Sequence, residues 1–380
     1  MILVAPDSYK GTLTAAEAAA AIVEGFRLHW PELECVALPL GDGGDGTLAA
    51  LMAAVGGVAH AVGVSDPLGR PIEATYCILE DGTALLEMAA ASGLTLLRGE
   101  ERDVLRASTC GTGQLLDAAR RRSGTLALGI GGSATVDGGL GMARALGVRF
   151  LDARGDEVTE PVHMENISHI DAAGLSPDWG EVRLLVMCDV DNPLNGPRGA
   201  ARVFGPQKGA SIEEVRVLQR GLANLGQRLE QFCGEPLADE PGAGAAGGLG
   251  AMLRGLLGAD LLPGAEVALD LVGFDRMLEQ DCDLVVTGEG RLDHQTLSGK
   301  LPLSVSRRAR KRGVPTVAIP GSLEVEAEGA LRGEFDAVVP VQPPEGNDAA
   351  VPAPSCLLRL TAARVAACLR VGRSMKGSGM

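Results

Sequence analysis

Both ends of the chain alternate a short apolar run with a helical stretch, and this alternation limits the possible folds more than any other feature. A strand, a helix and a second strand in succession favour parallel pairing with a crossover on one sheet face. "ILVAPD" opens the chain as a strand running into a Pro-Asp loop, and Thr14 with Glu17 forms a capping box ahead of the helical "AAEAAAAIVEGFRLHW". "ECVALPL" is the next strand, followed by the acidic glycine loop "GDGGDGT" and a helix from about Leu48 to Val55. The final stretch repeats the pattern: "CDLVVTGEG", a helix over Leu301 to Lys311, "PTVAIPG", a helix over Glu324 to Leu331, "FDAVVPV", and a helix near Cys356 to Leu369.

The middle differs. "VAHAVGV", "IEATYCIL" and "TALLEMA" are joined by turn signals and read as an antiparallel meander. After them come the helical "TGQLLDAARRR", the strand "TLALGI", the loop "GGSATVDGG", a helix near Met142 to Leu146 and the strand "VRFLD". "RLLVMCDV" then leads into a long Gly/Pro loop from Asp191 to Gly209, a helix over Ile212 to Phe232 and the glycine-rich helix start "PGAGAAGGLGAML". A chain of 380 residues exceeds the usual size of one core. The expectation is therefore α/β: a Rossmann-like parallel-sheet domain formed by residues 1–62 and 284–380, with residues 63–283 inserted as a mixed α/β second domain.

Composition narrows the function. A net charge of −15 disfavours nucleic acid as a partner, because binding a phosphodiester backbone depends on basic side chains. It leaves small anions open, since a local pocket can be positive on an acidic protein. No apolar run reaches membrane-spanning length and no leader pattern opens the chain, so no membrane association is expected. The eight cysteines stand singly, without C-x-x-C or zinc-ligand spacing, and fit reduced thiols in a cytoplasmic protein. A homodimer is among the assemblies the sequence allows.

Several loops that follow strands combine glycine with charge. In "PDSYKG", Lys10, with Ser8 beside it, precedes a capped helix and suits a carboxylate or phosphate. "GDGGDGT" sets Asp42 and Asp45 among glycines, so backbone can approach a phosphate while carboxylates hold a hard cation. "GIGGSATVDGG" can gather amides around an anion through Gly131, Gly132 and Ser133. The same stretch satisfies G-x-G-x-x-A, with Asp152 further on, but Gly138, Gly139 and Gly141 interrupt the helix a dinucleotide site requires. "MCDVDNPL" offers Asp189 and Asp191, and "FGPQKGA" places Lys208 before another helix start. The most heavily charged loop, "TGEGRLDHQTLSGK", carries Glu289, Arg291, Asp293, Thr296 and Lys300; such density is costly to bury without a ligand or mutual pairing. Neither a P-loop nor a G-x-S-x-G elbow is present in the sequence.

The strings "APDSYKGTLTA", "DGGDGT", "DPLGRP", "LLEMAAASGL", "GIGGSATVDGG", "DVDNPLNG", "VFGPQKGA", "PGAGAAGGLG" and "TGEGRLDHQTLSGK", in this order, resemble the type 1 glycerate kinase family over nearly the whole chain. Tyr9, Gly41, Asp45 and Val136 stand where that pattern usually has Phe, Ala, Glu and Asn, and Val136 removes a polar group from the glycine-rich loop. The resemblance implies ATP-dependent phosphorylation of D-glycerate with Mg2+, 2-phosphoglycerate being the favoured product, on a two-domain α/β fold. Phosphoryl transfer needs a group on the hydroxyl proton and cations on the moving phosphoryl. The expected assignments are Asp293, or failing it Asp189, for the hydroxyl; Lys10, Arg291, Lys300 and Ser8 for the substrate carboxylate and transferring phosphate; Asp42 and Asp189 for magnesium; and Gly131, Gly132, Ser133 and Asp45 for the nucleotide phosphates. Two rivals stand beside this reading: an NAD-type oxidoreductase acting on a hydroxy acid, and a non-catalytic protein that binds a small acid.

Overall fold

The computed structural model describes residues 1–294, 296, 299–331, 333–341 and 352–377; Gln295, Leu297 and Ser298 of the charged loop lie outside the described residues. The protein is mixed α/β with parallel sheets and many helices, and divides into two compact units. The first comprises Met1–Asp42, Ala49–Gly56 and Ala265–Met380; the second, Gly43–Leu48 and Gly57–Gly264.

In the first unit, five strands pair in the order Ala337–Val338, Thr316–Ala318, Leu284–Thr287, Ile2–Val4, Cys35–Ala37, all parallel. The N-terminal strand sits centrally, with Leu3 opposite Val285 on one side and Val36 on the other. Its residues are fully apolar because both faces are covered. On one face Ile22 and Phe26 of the helix Ala15–His29 meet Leu358 and Ala362 of the helix Pro354–Gly377 in a shared core. The capping box forms as the sequence predicts: Thr14 Oγ1 accepts from the Glu17 amide at 3.2 Å, and the Thr14 amide donates to Glu17 Oε2 at 2.9 Å. Gly25 lets the two helices approach closely, since a Cβ there would lie 2.3 Å from the Arg359 carbonyl oxygen. The C-terminal helix runs longer than its apolar pattern indicates, because its exposed polar residues support helix without adding to the periodic signal.

The second unit has six strands in the order Asp260–Leu262, Arg183–Met187, Thr125–Gly129, Ala84–Glu87, Pro71–Ile78, Val58–Ser65. The first four are parallel and the last two are added antiparallel, which is the expected meander. "VRFLD" forms a strand as expected, with Arg149–Leu151 pairing antiparallel with His169–Asp171 in a separate ribbon. The preceding helix, Leu140–Ala145, has six residues and spans only about 9 Å, too short to carry the chain back along a strand. Two other readings of this stretch are corrected. The loop from Asp191 to Gly209 contains the helix Ala200–Phe204 and a 3-10 turn at Pro206–Lys208, both too short to leave a periodic signal. "GAGAAGGLG" is not a regular helix start: Ala246, Gly247 and Gly248 take left-handed backbone angles, with φ of 51°, 73° and 96°. A Cβ on Gly247 would stand 2.1 Å from the Thr135 carbonyl oxygen, so glycine here lets this segment lie directly against the "GGSATVDGG" loop.

Candidate functional site

Strand order in the first unit reverses between Ile2–Val4 and Leu284–Thr287: one strand leads to Cys35–Ala37 on its far side, the other to Thr316–Ala318 on the opposite side. Ligands of open parallel sheets bind beyond the carboxyl ends of the strands at such a reversal. A cavity of about 790 Å³ lies there. Its lining includes Asp7, Ser8 and Lys10 after the first strand, Asp42 after the second, and Glu289, Arg291, Asp293 and Lys300 after Leu284–Thr287.

Backbone bonds beyond the strands hold these loops together. The Asp7 amide donates to the Gly288 carbonyl at 2.9 Å and the Gly321 amide to the Glu289 carbonyl at 3.0 Å. Gly288 tolerates no side chain, because its Cβ would lie 2.5 Å from the Ile319 carbonyl oxygen. The buried Tyr9 hydroxyl donates to that same carbonyl, fixing the turn that presents Ser8 and Lys10.

The cavity is rich in carboxylates. Asp7 is 9% exposed and accepts from the Ser8 amide at 2.6 Å, but forms no ion pair among the described residues. Burial, reinforced by the charges of Asp42 and Glu289, raises its pKa well above the usual carboxylate range, against the opposing pull of the Ser8 amide and Lys10. Burial likewise raises Glu289, which accepts from Thr296 Oγ1 at 2.9 Å. Lys300 lies 3.8 Å from Glu289 Oε2 and 3.7 Å from Asp293 Oδ1, and so serves two carboxylates at once. Asp293 also shapes its own turn, accepting from the Thr296 amide at 3.3 Å. Lys10 is exposed at the cavity wall, whereas the Arg291 guanidinium pairs with Glu324 at 2.9 Å. The structure thus brings together Ser8, Lys10, Asp42, Arg291, Asp293 and Lys300 of the expected residues and adds Asp7, which the sequence reading passed over as part of a Pro-Asp turn. A carboxylate directly after the opening apolar strand was the available signal.

The remaining candidates belong to the second unit. The loop after Thr125–Gly129 is anchored by Gly131 N to Gly43 O at 3.0 Å and by Ala134 N to Ser92 O at 2.9 Å. Gly132 adopts φ of 70°, and a Cβ there would meet Asp45 Oδ1 at 2.3 Å, so the exposed Asp45 carboxylate flanks the loop. Beneath it, Lys208 Nζ donates to Ser133 Oγ at 2.6 Å and to the Thr135 carbonyl at 2.7 Å. Asp137, fully buried, accepts from Thr109 Oγ1 and the amides of Thr109, Gly139 and Gly141. Val136 is wholly inside the apolar core, where a polar side chain would need a partner. The following helix begins only at Leu140, after Gly138 and Gly139 with positive φ, so the loop lacks the immediate helix N-terminus of a dinucleotide site. Asp152 caps its own turn through the amides of Arg154 and Asp156. Asp189 is exposed and accepts from the Gly264 amide at 2.8 Å. Among the described residues, no group of three or more His, Cys, Asp or Glu is arranged to hold a metal ion, and no helix is long and apolar enough to cross a membrane.

Burial pulls Lys208 down to about 7, with Asp137 opposing. A lysine depressed in the fold binds fewer protons than in the unfolded chain between about pH 7 and its ordinary value near 10.4, so unfolding free energy rises with pH across that window. The difference in stability between wild type and Lys208→Met is expected to shift in favour of wild type by up to about 1.4 kcal/mol per pH unit there. Denaturant titrations at stepped pH check this; a difference independent of pH would mean Lys208 stays charged when buried.

Loops rich in glycine and charge at the ends of parallel strands make this an α/β enzyme suited to small anionic substrates. The family model described as "Glycerate kinase family" matches residues 2–370. A relative named glycerate kinase from Halalkalibacterium halodurans is 44% identical over 345 residues, 90% of each chain, and one named glycerate 2-kinase from Escherichia coli K12 is 43% identical over 343 residues, also 90% of each. The crystal structure of a Salmonella typhimurium LT2 protein superposes with a TM-score of 0.86 at 40% identity, covering 98% of both chains. The chain belongs to the glycerate kinase family.

Proposed function

We propose that the protein transfers the γ-phosphoryl group of ATP to a hydroxyl of D-glycerate. The cavity at the strand-order reversal carries this reading, because it sets Lys10 and Lys300 among Asp7, Asp42, Glu289 and Asp293. Family membership supports the glycerate acceptor, and the name of the Escherichia coli relative favours the 2-hydroxyl and hence 2-phosphoglycerate.

In the proposed reaction the glycerate hydroxyl oxygen bonds to the γ-phosphorus, the bond from that phosphorus to the β–γ bridging oxygen breaks, and ADP leaves with the electron pair. Such transfer depends on positioning and charge rather than covalent chemistry by the protein. Lys10, Ser8 and Arg291 hold the substrate carboxylate, and Lys300 meets the charge on the moving phosphoryl group. The hydroxyl proton passes to a cavity carboxylate. Asp7 is the best poised, since a raised pKa near the working pH suits a general base, and Asp293 orients the hydroxyl. In the second unit, Gly131, Gly132, Ser133 and Asp45 receive nucleotide phosphates.

Magnesium is commonly held by one or two carboxylates together with substrate phosphates and water. The electrostatics favour a cation even though no protein cluster of three ligands is arranged for one among the described residues: the repulsion among Asp7, Asp42 and Glu289 is the field a divalent ion relieves. Asp42, at the cavity, and Asp189, separately in the second unit, are the candidate carboxylates; an ion bound at either would neutralise charge on the phosphates.

Release of ADP over a panel of small hydroxy acids and polyols, with the product position read by NMR, tests the reading. Glycerate is expected to be the preferred acceptor, with phosphate on the 2-hydroxyl. Glycerate-independent ADP release, or turnover of a nicotinamide cofactor instead, overturns it. Excess chelator should abolish turnover and added magnesium restore it; full activity in chelator would remove the metal role from Asp42 and Asp189.

A further inference from the structure

Lys208 is 2% exposed, and among the described residues no carboxylate lies within ion-pair distance of it. The opposing charge that acts on it, Asp137, is already engaged by four donors from Thr109, Gly139 and Gly141. The other charged groups around this segment are Arg102, whose guanidinium donates to the Gln207 carbonyl, and Asp45 on the Gly132 side of the loop. Burying an ammonium without a counter-ion is expensive, and a neutral side chain would fill the space at lower cost. Two further observations mark the spot as incomplete. Among the described residues the buried Thr135 hydroxyl has no hydrogen-bond partner, and the amides of exposed Gly132 and buried Ser133 donate to no protein acceptor. A buried ammonium without an ion pair among the described residues and a buried hydroxyl without a partner, beside the open amides of one glycine-rich loop, suit an anion.

We propose that Lys208 is a positioning residue for phosphate binding: from beneath, it pins Ser133 Oγ and the Thr135 carbonyl so that the open amides of Gly132 and Ser133 stay aimed at a phosphoryl group. The inference rests on assigning this loop to nucleotide phosphates. Lys208 acts through Ser133 and the backbone rather than by touching substrate. An arriving anion favours the charged form of the lysine, so above neutral pH binding is accompanied by proton uptake.

Calorimetric titration of ADP into the full chain, with steady-state kinetics, tests this. Lys208→Met should weaken ADP and raise the nucleotide KM by about tenfold or more while the glycerate KM moves by less than about twofold, a split that general structural damage would not produce. In buffers of differing ionisation enthalpy at about pH 8, wild type should take up protons on binding ADP and Lys208→Met should not. Ser133→Ala keeps the lysine and removes only its hydroxyl partner; a smaller loss of ADP affinity is expected, and this variant decides the matter if Lys208→Met does not fold. Wild type that fails to bind ADP overturns the loop assignment and the inference together. Wild type that binds ADP, with either variant binding it equally well, or with proton uptake equal in wild type and Lys208→Met, overturns the inference alone.

Discussion

Asp7→Asn should lower kcat by about a hundredfold or more, the lower range for loss of a general base, and at the same time make the protein more stable at pH 8. The two effects share one cause. Asp7 is buried with an amide donor but no ion pair among the described residues, and its pKa is raised by burial and by neighbouring carboxylates against the weaker pull of Lys10. A carboxylate raised in the fold contributes its full stability only below its unfolded value near 3.9 and loses it as pH rises through the folded value. At pH 8 the ionised group therefore opposes folding, by on the order of 1 kcal/mol or more, and asparagine removes the charge while its side-chain oxygen can still accept from Ser8. The gain should vanish on acidification. Turnover and melting temperature of the same preparations test both halves. Turnover within about tenfold of wild type would dismiss Asp7 as the base, and a loss of stability at pH 8 would show that its carboxylate is compensated.

Lys300→Met is expected to act in the opposite sense on stability. Lys300 is the strongest influence lowering Glu289, which burial otherwise raises, and it also lies 3.7 Å from Asp293. Without it Glu289 and Asp293 lose the ammonium they share, and kcat/KM should fall by about two orders of magnitude as the charge facing the phosphoryl group is lost. The variant should be less stable than wild type at neutral pH by on the order of 1 kcal/mol, because Glu289 is then raised further above its unfolded value near 4.3. That deficit should close as pH falls toward this value, where Glu289 is protonated in both states. Chemical denaturation of both proteins at neutral and acidic pH measures it. A deficit that is the same at every pH would assign Lys300 to packing, and unchanged kcat/KM would remove it from the reaction.

The elements that could be read from the sequence are those whose signals are local. The capping box at Thr14 and Glu17, the helix Leu301–Lys311 and the meander strands each depend on periodicity or turn chemistry within a short window, and each forms where expected. The partner of the "VRFLD" strand shows the limit. Its residues favour a strand, but which partner it finds depends on how far the six-residue helix before it can carry the chain. Likewise, the left-handed turn at Ala246–Gly248 exists because the backbone of a distant loop, at Thr135, lies against it.

Among the candidate residues, local sequence picked out the loops, because glycine together with charge after an apolar strand is a short-range signature. It could not weigh the charges against one another. Asp7 looked like part of a turn and Lys208 like a lysine ahead of a helix; burial, which depends on elements far away in the chain, makes them a carboxylate and an ammonium without an ion pair among the described residues. The sequence alone determined the α/β class, the family resemblance and the loops that carry the chemistry, since composition, periodicity and motif are properties of neighbouring residues. Which acid is poised to take a proton, and which lysine stands beneath the glycine-rich loop, only the tertiary structure decided, because desolvation and the Coulomb field come from groups brought together across hundreds of residues of chain.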